Sequence, residues 1–154
     1  MMKKLLPILL LMLCGCRAAT TVADMTYVDR AGARHSICSR STPLTLVYLN
    51  DIDCHECHAV GDSLRTSAVI ARALSDGRLR VLSVYVGDQQ ERWAASDPTE
   101  GWTECIDPEF ASMATETYQF ESLPALFIVD SRSRLRQNNI SANDAINYIA
   151  THSK

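Results

Sequence analysis

The feature that most constrains this chain is a continuous apolar run, residues 44–49, that ends in the turn Asn50-Asp51-Ile52-Asp53 and then Cys54-His55-Glu56-Cys57-His58. The run is β-prone and apolar at successive positions, as in a strand buried on both faces. The pair of cysteines follows where a helix is expected to start. A first helical turn carries unpaired N–H groups and the positive end of the macrodipole, and both stabilise a thiolate. The thiolate is the form that attacks disulfides, so a helix N-terminus suits a redox cysteine. With two residues between them, the second sulfur can reach back to the first. The spacing therefore predicts a thiol–disulfide exchange site with Cys54 attacking and Cys57 resolving. As a purely structural bridge the pair would be a poor staple, because closing so short a loop removes little chain entropy.

The segment at the start of the chain is read as separate from the fold. Residues 1–4 form a short basic stretch, residues 5–13 an apolar one, and Leu13-Cys14-Gly15-Cys16 a small-residue cleavage zone. The apolar stretch is too short to span a bilayer as a mature helix. Leu13-Cys14-Gly15-Cys16 resembles a bacterial lipobox, although Ala, Ser or Thr is commoner where Cys14 stands. The resemblance implies that Cys16 is lipidated and becomes the mature N-terminus; a soluble secreted protein cleaved nearby is the alternative. The expected division is a lipoprotein signal peptide over 1–15, a lipidated tether over 16–24 and one domain over 25–154. The absence of an acidic residue directly after Cys16 resembles the sorting pattern of outer-membrane lipoproteins on the periplasmic side.

With 154 residues, a net charge of −3 and 47% hydrophobic residues, neither disorder nor nucleic-acid binding is indicated. Of the six cysteines, Cys38, Cys54, Cys57 and Cys105 remain in an exported domain where disulfides can form. Cys38 and Cys105 are expected as buried small hydrophobes or one further structural pair.

Along the chain, residues 27–37 alternate and turn at Gly32, as a β-hairpin does. After the cysteine pair, Ala59, Val60, Leu64, Val69, Ile70, Ala73 and Leu74 follow helical spacing, and one helix is expected to end at Asp76-Gly77. A second buried strand is expected over 80–86, a helix over 88–95 and a short strand over 102–106. Asp107-Pro108-Glu109 places an N-cap residue, a first-turn proline and an acid together, so a helix is expected from there to about residue 118. A third buried strand over 125–130, an edge strand over 135–138 and a helix capped by Ser141 complete the domain. Strands alternating with helices indicate an α/β layered domain.

That order resembles a thioredoxin-like fold, and in detail the TlpA/ResA-like, membrane-tethered thiol–disulfide oxidoreductases. The resemblance rests on the strand-turn-Cys54-x-x-Cys57-helix unit, on Leu123-Pro124 directly before a strand, and on the hairpin with Asp29 and Gly32. It implies a central mixed β-sheet flanked by helices, an N-terminal hairpin and an insertion over 88–118. It also implies a cis-proline at Pro124 facing the cysteines, with the backbone of Leu123 offered to an incoming peptide. No cofactor beyond the Cys54–Cys57 disulfide is implied. The partners implied are periplasmic protein thiols or disulfides and a membrane electron donor or acceptor.

The chain departs from the family where it matters for reactivity. Asp53 stands where thioredoxins have Trp, and Tyr48 stands where they have a buried Asp. The proton acceptor for Cys57 is then Glu56 or water. Asp51, Asp53 and Glu56 crowd negative charge around Cys54 and disfavour its thiolate, whereas the helix terminus and protonated His55 or His58 oppose them. A less stabilised thiolate means a more reducing couple, so a reductase is expected rather than a strong oxidant. Two other readings use the same residues. Cys54-x-x-Cys57-His58 matches the attachment signature of c-type haem, and Cys54, Cys57 and a histidine are a soft metal-ligand set. A third is a non-enzymatic lipoprotein that keeps the fold and only binds.

Overall fold

A computed structural model describes residues 25–107 and 118–153. The signal, tether and lipidation site expected before residue 25, and the body of the helix expected after Asp107, lie outside the described residues. None of the described helices is long and apolar enough to cross a membrane.

The described elements are strands β1 (Thr26–Asp29), β2 (Arg34–Ser36), β3 (Leu44–Asn50), β4 (Leu79–Tyr85), β5 (Thr103–Ile106), β6 (Ala125–Asp130) and β7 (Leu135–Gln137), with helices α1 (His55–Arg65), α2 (Ala68–Ser75), α3 (Gln90–Ala95) and α4 (Ala142–His152). The strands form one sheet of seven in the order β2-β1-β5-β4-β3-β6-β7. β3, β4 and β5 run parallel, while β6, β7, β1 and β2 join antiparallel. The sheet is therefore mixed, as expected, with β4 at its centre and β3 beside it, between β4 and β6.

The unbroken apolar runs follow from that position. Successive strand residues point to opposite faces, and both faces are covered. Leu44, Leu46 and Tyr48 of β3 join Val81, Leu126 and Ile128 beneath Leu64 of α1, Ile70 of α2 and Ile149 of α4. Val47 and Leu49 face the other way, with Leu82, Val84 and Phe127, and are closed over by Tyr27 and Ile37 of the hairpin region and by Tyr118. Each Leu, Ile, Val or Phe buried in this way contributes about 1.5–3 kcal/mol relative to exposure.

One expectation needs correction. The single helix expected from the cysteine pair to Asp76-Gly77 is two helices. α1 ends at Arg65 with Thr66 as its C-cap, and Ser67 takes an extended backbone, its hydroxyl accepting from the Ile70 N–H to open α2. Local chemistry decides this: an N-cap serine satisfies a donor that a continuous helix would use otherwise. The apolar spacing records the break, because Leu64 and Val69 are five residues apart rather than three or four. The insertion helix also starts at Gln90 rather than Asp88, and β5 begins at Thr103, leaving Trp102 in the preceding loop.

Candidate redox site

The site is assembled where β3 ends. The Leu49–Ala125 pairing sets the start of β6 beside the end of β3, and Pro124 precedes that pair. Asn50 ties the strand ends together, its side-chain amide donating to the Tyr48 carbonyl at 3.1 Å, the Ser83 hydroxyl at 2.9 Å and the Val84 carbonyl at 3.2 Å. The chain then turns through residues 51–53. The Asp51 carboxylate accepts from the Asp53 N–H at 2.8 Å, and the Asp51 carbonyl accepts from the Cys54 N–H at 3.3 Å.

Cys54 is the N-cap of α1, with extended backbone, and its sulfur accepts from the Cys57 N–H at 3.1 Å. A sulfur is thus set where the first turn of a helix offers unpaired donors. Cys54 and Cys57 are joined as a disulfide, their Cα atoms 5.1 Å apart. The two sulfurs are not equivalent: Cys57 is buried at 2% exposure, whereas Cys54 is only half-buried. An incoming sulfur meets Cys54 first.

Tyr48, in the place of the expected carboxylate, lies under α1 and donates its hydroxyl to the Cys57 carbonyl at 2.5 Å. Burial pushes that hydroxyl far above its ordinary range, so it stays protonated. Gly61 belongs to this arrangement, since a Cβ there would stand 3.4 Å from the Tyr48 hydroxyl. Leu123, half-buried, packs against the same apolar cluster as Cys54 and Cys57, and the Leu123–Pro124 peptide bond is cis. The structure thus brings Leu123 and Pro124 to the cysteine end of the sheet. His55 and Glu56 are exposed in the first turn of α1.

Asp53, one of the acids expected to crowd negative charge around Cys54, has a cationic partner that the expectation did not include. Its two carboxylate oxygens accept from the Arg92 guanidinium at 3.0 Å each, and Oδ2 also accepts from the Gln89 side chain at 2.8 Å. Arg92 holds the Asp53 carboxyl below the usual carboxylate range. One of the three acids around Cys54 is therefore already paired. Arg92 and Gln89 carry no sequence signal for this role, because they belong to an insertion helix about 38 residues away along the chain.

That helix is itself held by the hairpin region. Arg30 donates to the carbonyls of Trp93, Ala94 and Ser96, pairs with Glu104, and lies 4.4 Å from the Trp93 ring centroid. Trp93 stacks on Tyr85, whose hydroxyl accepts from the Gln89 N–H at 2.9 Å. Gly87 is required here: a Cβ would overlap the Tyr85 hydroxyl and the Asp51 carboxylate. A cleft of about 390 Å³ opens between α1 and this insertion, bounded by Ile52, His58, Trp93 and Trp102. Trp102 meets Tyr48 edge-on, 6.2 Å between centroids.

The donor set of the haem and metal readings is engaged within the chain: Cys54 and Cys57 bond each other, and His58 Nε2 donates to the Ile52 carbonyl at 2.8 Å. Among the described residues, no group of three or more His, Cys, Asp or Glu could hold a metal ion. Cys38 and Cys105 are both free thiols. His35 is half-buried and meets the Asp29 carboxylate at 2.7 Å.

No family model and no curated protein matches the sequence. Solved structures do match the fold. A thioredoxin-like protein from Bacteroides caccae superposes with a TM-score of 0.78 at 21% identity, covering 88% of this chain and 50% of that one. The C-terminal domain of an uncharacterized protein from Bacteroides fragilis gives 0.77 at 24% identity, covering 87% and 97%. The thioredoxin domain of a thiol-disulfide oxidoreductase from Bacteroides vulgatus gives 0.70 at 17% identity, covering 89% and 99%. The chain spans half the length of the first of these. It has a thioredoxin-like fold, with a Cys-x-x-Cys disulfide at the head of α1.

Proposed function

We propose that this chain is a thiol–disulfide oxidoreductase, tethered by lipid on Cys16 to the periplasmic face of a bacterial membrane, that reduces disulfides in partner proteins. The observation that carries the reading is the asymmetry of the pair: a half-exposed Cys54 capping a helix, and a Cys57 sealed beneath it. In the reduced protein the Cys54 thiolate attacks one sulfur of a partner disulfide. An S–S bond forms between Cys54 and the partner, and the partner's other sulfur leaves as a thiolate that takes up a proton. Cys57 then gives its proton to Glu56 or water and attacks the Cys54 sulfur. The mixed disulfide breaks, the partner's second sulfur leaves as a thiolate, and the Cys54–Cys57 disulfide closes. Two electrons have passed to the partner, and a donor dithiol at the membrane restores them by the same exchange in reverse.

Leu123 and Pro124 form the edge along which a partner segment lies, and His55 and Glu56 tune the thiols. The reducing direction rests on Asp51 and Glu56, which disfavour the Cys54 thiolate and with it the reduced form. Localisation rests on the resemblance of Leu13-Cys14-Gly15-Cys16 to a lipobox, and the outer membrane on the residues that follow Cys16.

Cys57→Ser tests the mechanism. With no resolving thiol, the reduced variant is expected to accumulate mixed disulfides on Cys54, seen as reductant-sensitive adducts on a non-reducing gel and placed by peptide mass spectrometry. If Cys54 alkylates readily in this variant and yet forms no adduct with a disulfide-bonded substrate protein, the exchange mechanism is wrong.

A further inference from the structure

The insertion helix α3 meets the residue before the cysteine pair through a forked contact. Arg92 Nη1 and Nη2 each stand 3.0 Å from a different oxygen of Asp53, the residue immediately before Cys54. Gln89 completes the fork, its amide on Asp53 Oδ2 and its carbonyl 2.5 Å from Arg92 Nη1. A planar guanidinium that meets a carboxylate with two parallel bonds fixes geometry as well as charge. Isolated exposed pairs contribute little to stability, and this one is exposed. Its position says more than its strength. α3 is pinned at its other end by Arg30, whose guanidinium binds three carbonyls at and beyond the end of α3 and the Glu104 carboxylate. The titratable and charged groups near Cys54 are Asp51, Asp53, His55, Glu56 and His58 on its own segment, and Arg92, Asp88 and the neutral phenol of Tyr85 from the elements packed against that segment. Arg92 is the permanent cation among them.

We propose that Arg92 is a positioning residue of the redox pair, holding Asp53 in place and cancelling its charge beside Cys54. This rests on the exchange reading above. By this means the insertion sets the reactivity of a thiol that it does not touch. Removing the cation leaves Asp53 as an unopposed anion, which disfavours the Cys54 thiolate. Removing the anion leaves Arg92 as an unopposed cation, which favours it. The signs are opposite, and that separates charge balance from simple loss of structure.

The experiment is the pH profile of Cys54 alkylation by iodoacetamide in the reduced full chain, for wild type, Arg92→Gln, Asp53→Asn, the double variant and Arg92→Lys. The profile midpoint is read, because intrinsic nucleophilicity also changes with thiol acidity. Arg92→Gln is expected to raise the midpoint by about half a pH unit and Asp53→Asn to lower it by about as much, each a roughly threefold change in thiolate population. The double variant and Arg92→Lys are expected to stay near wild type. Single variants that move in the same direction, or a double variant that moves as far as either single one, would overturn the proposal. A variant that unfolds shows itself by alkylation of Cys105, which is fully buried in the native chain; Arg92→Lys and Asp53→Asn then carry the comparison. Reversible closure of the wild-type disulfide is measured alongside. If it is absent, the exchange reading falls; if it is present and the midpoints do not separate, only the role of Arg92 falls.

Discussion

Cys54, Cys57, Cys38 and Cys105 share a functional group and differ in what surrounds it. Cys54 is half-buried at a helix start, Cys57 is sealed beneath it, Cys38 is half-buried in a loop, and Cys105 lies at 0% exposure in β5. Burial pushes the Cys105 thiol up to about 12. At pH 8 the Cys105 thiol is therefore protonated, and unreactive as well as shielded. In the reduced native protein iodoacetamide is expected to modify Cys54 first and Cys38 more slowly, leaving Cys105 intact until the chain is unfolded. Peptide mass spectrometry over a time course checks the order, and Cys105 reacting as fast as Cys54 would contradict it. At this scale the sequence is informative about the pair and the residues next to it along the chain, and silent about the partners those residues take on other elements. Two cysteines after a buried strand are a local signal, legible without knowing the fold. The Arg92–Asp53 fork and the Tyr48 bond to the Cys57 carbonyl are made by side chains on other elements. Nothing in the spacing of Tyr48, Asp53 and Arg92 along the chain marks them as partners.

Helix boundaries and strand turns are where local chemistry overrules periodicity. An apolar stripe tells which residues face the core, but not whether one helix or two carry them. The break between α1 and α2 depends on Ser67 capping Ile70, so Ser67→Ala is expected to cost about 1 kcal/mol in urea unfolding. A loss below a few tenths would mean that packing alone sets the break. The hairpin turns carry a pH dependence of defined sign. Asp29 at the β1–β2 turn is held below the usual carboxylate range by His35 and then by the Ala33 N–H. At the β6–β7 turn, partial burial of Asp130 works the other way, but the N–H groups of Arg134 and Arg132 and the Arg134 guanidinium outweigh it. Both carboxyls are more acidic folded than unfolded, where Asp titrates near about 3.9, so the unfolded chain binds more protons in that range. Their stabilisation is complete above about pH 5 and is lost as pH falls through about 4 towards the folded values. The urea midpoint is expected to decline on acidification below about pH 4, less steeply in Asp130→Asn. An equal decline in that variant would remove Asp130 from the explanation.

Across the whole molecule, the mixed sheet could be anticipated because the adjacent strands β4, β3 and β6 are buried on both faces and therefore stand out as apolar runs. The short strands β1, β5 and β7 fall where strands are expected from the residues, but which strand each one pairs with is not legible in the sequence. The path by which the hairpin region, through Arg30 and α3, reaches Asp53 exists only once those strands are paired. The fold brings a half-exposed cysteine, its buried partner and the Leu123–Pro124 edge to one end of the sheet, and the proposed activity stands on that arrangement. The most direct test is the reduction potential of the Cys54–Cys57 couple in the full chain, read by thiol labelling across dithiothreitol and glutathione buffers. A reversible two-electron couple near or below roughly −270 mV is expected for a protein that reduces its partners. A value near about −120 mV would make it a disulfide donor and reverse the proposed direction, and no reversible couple at all would contradict thiol–disulfide exchange itself.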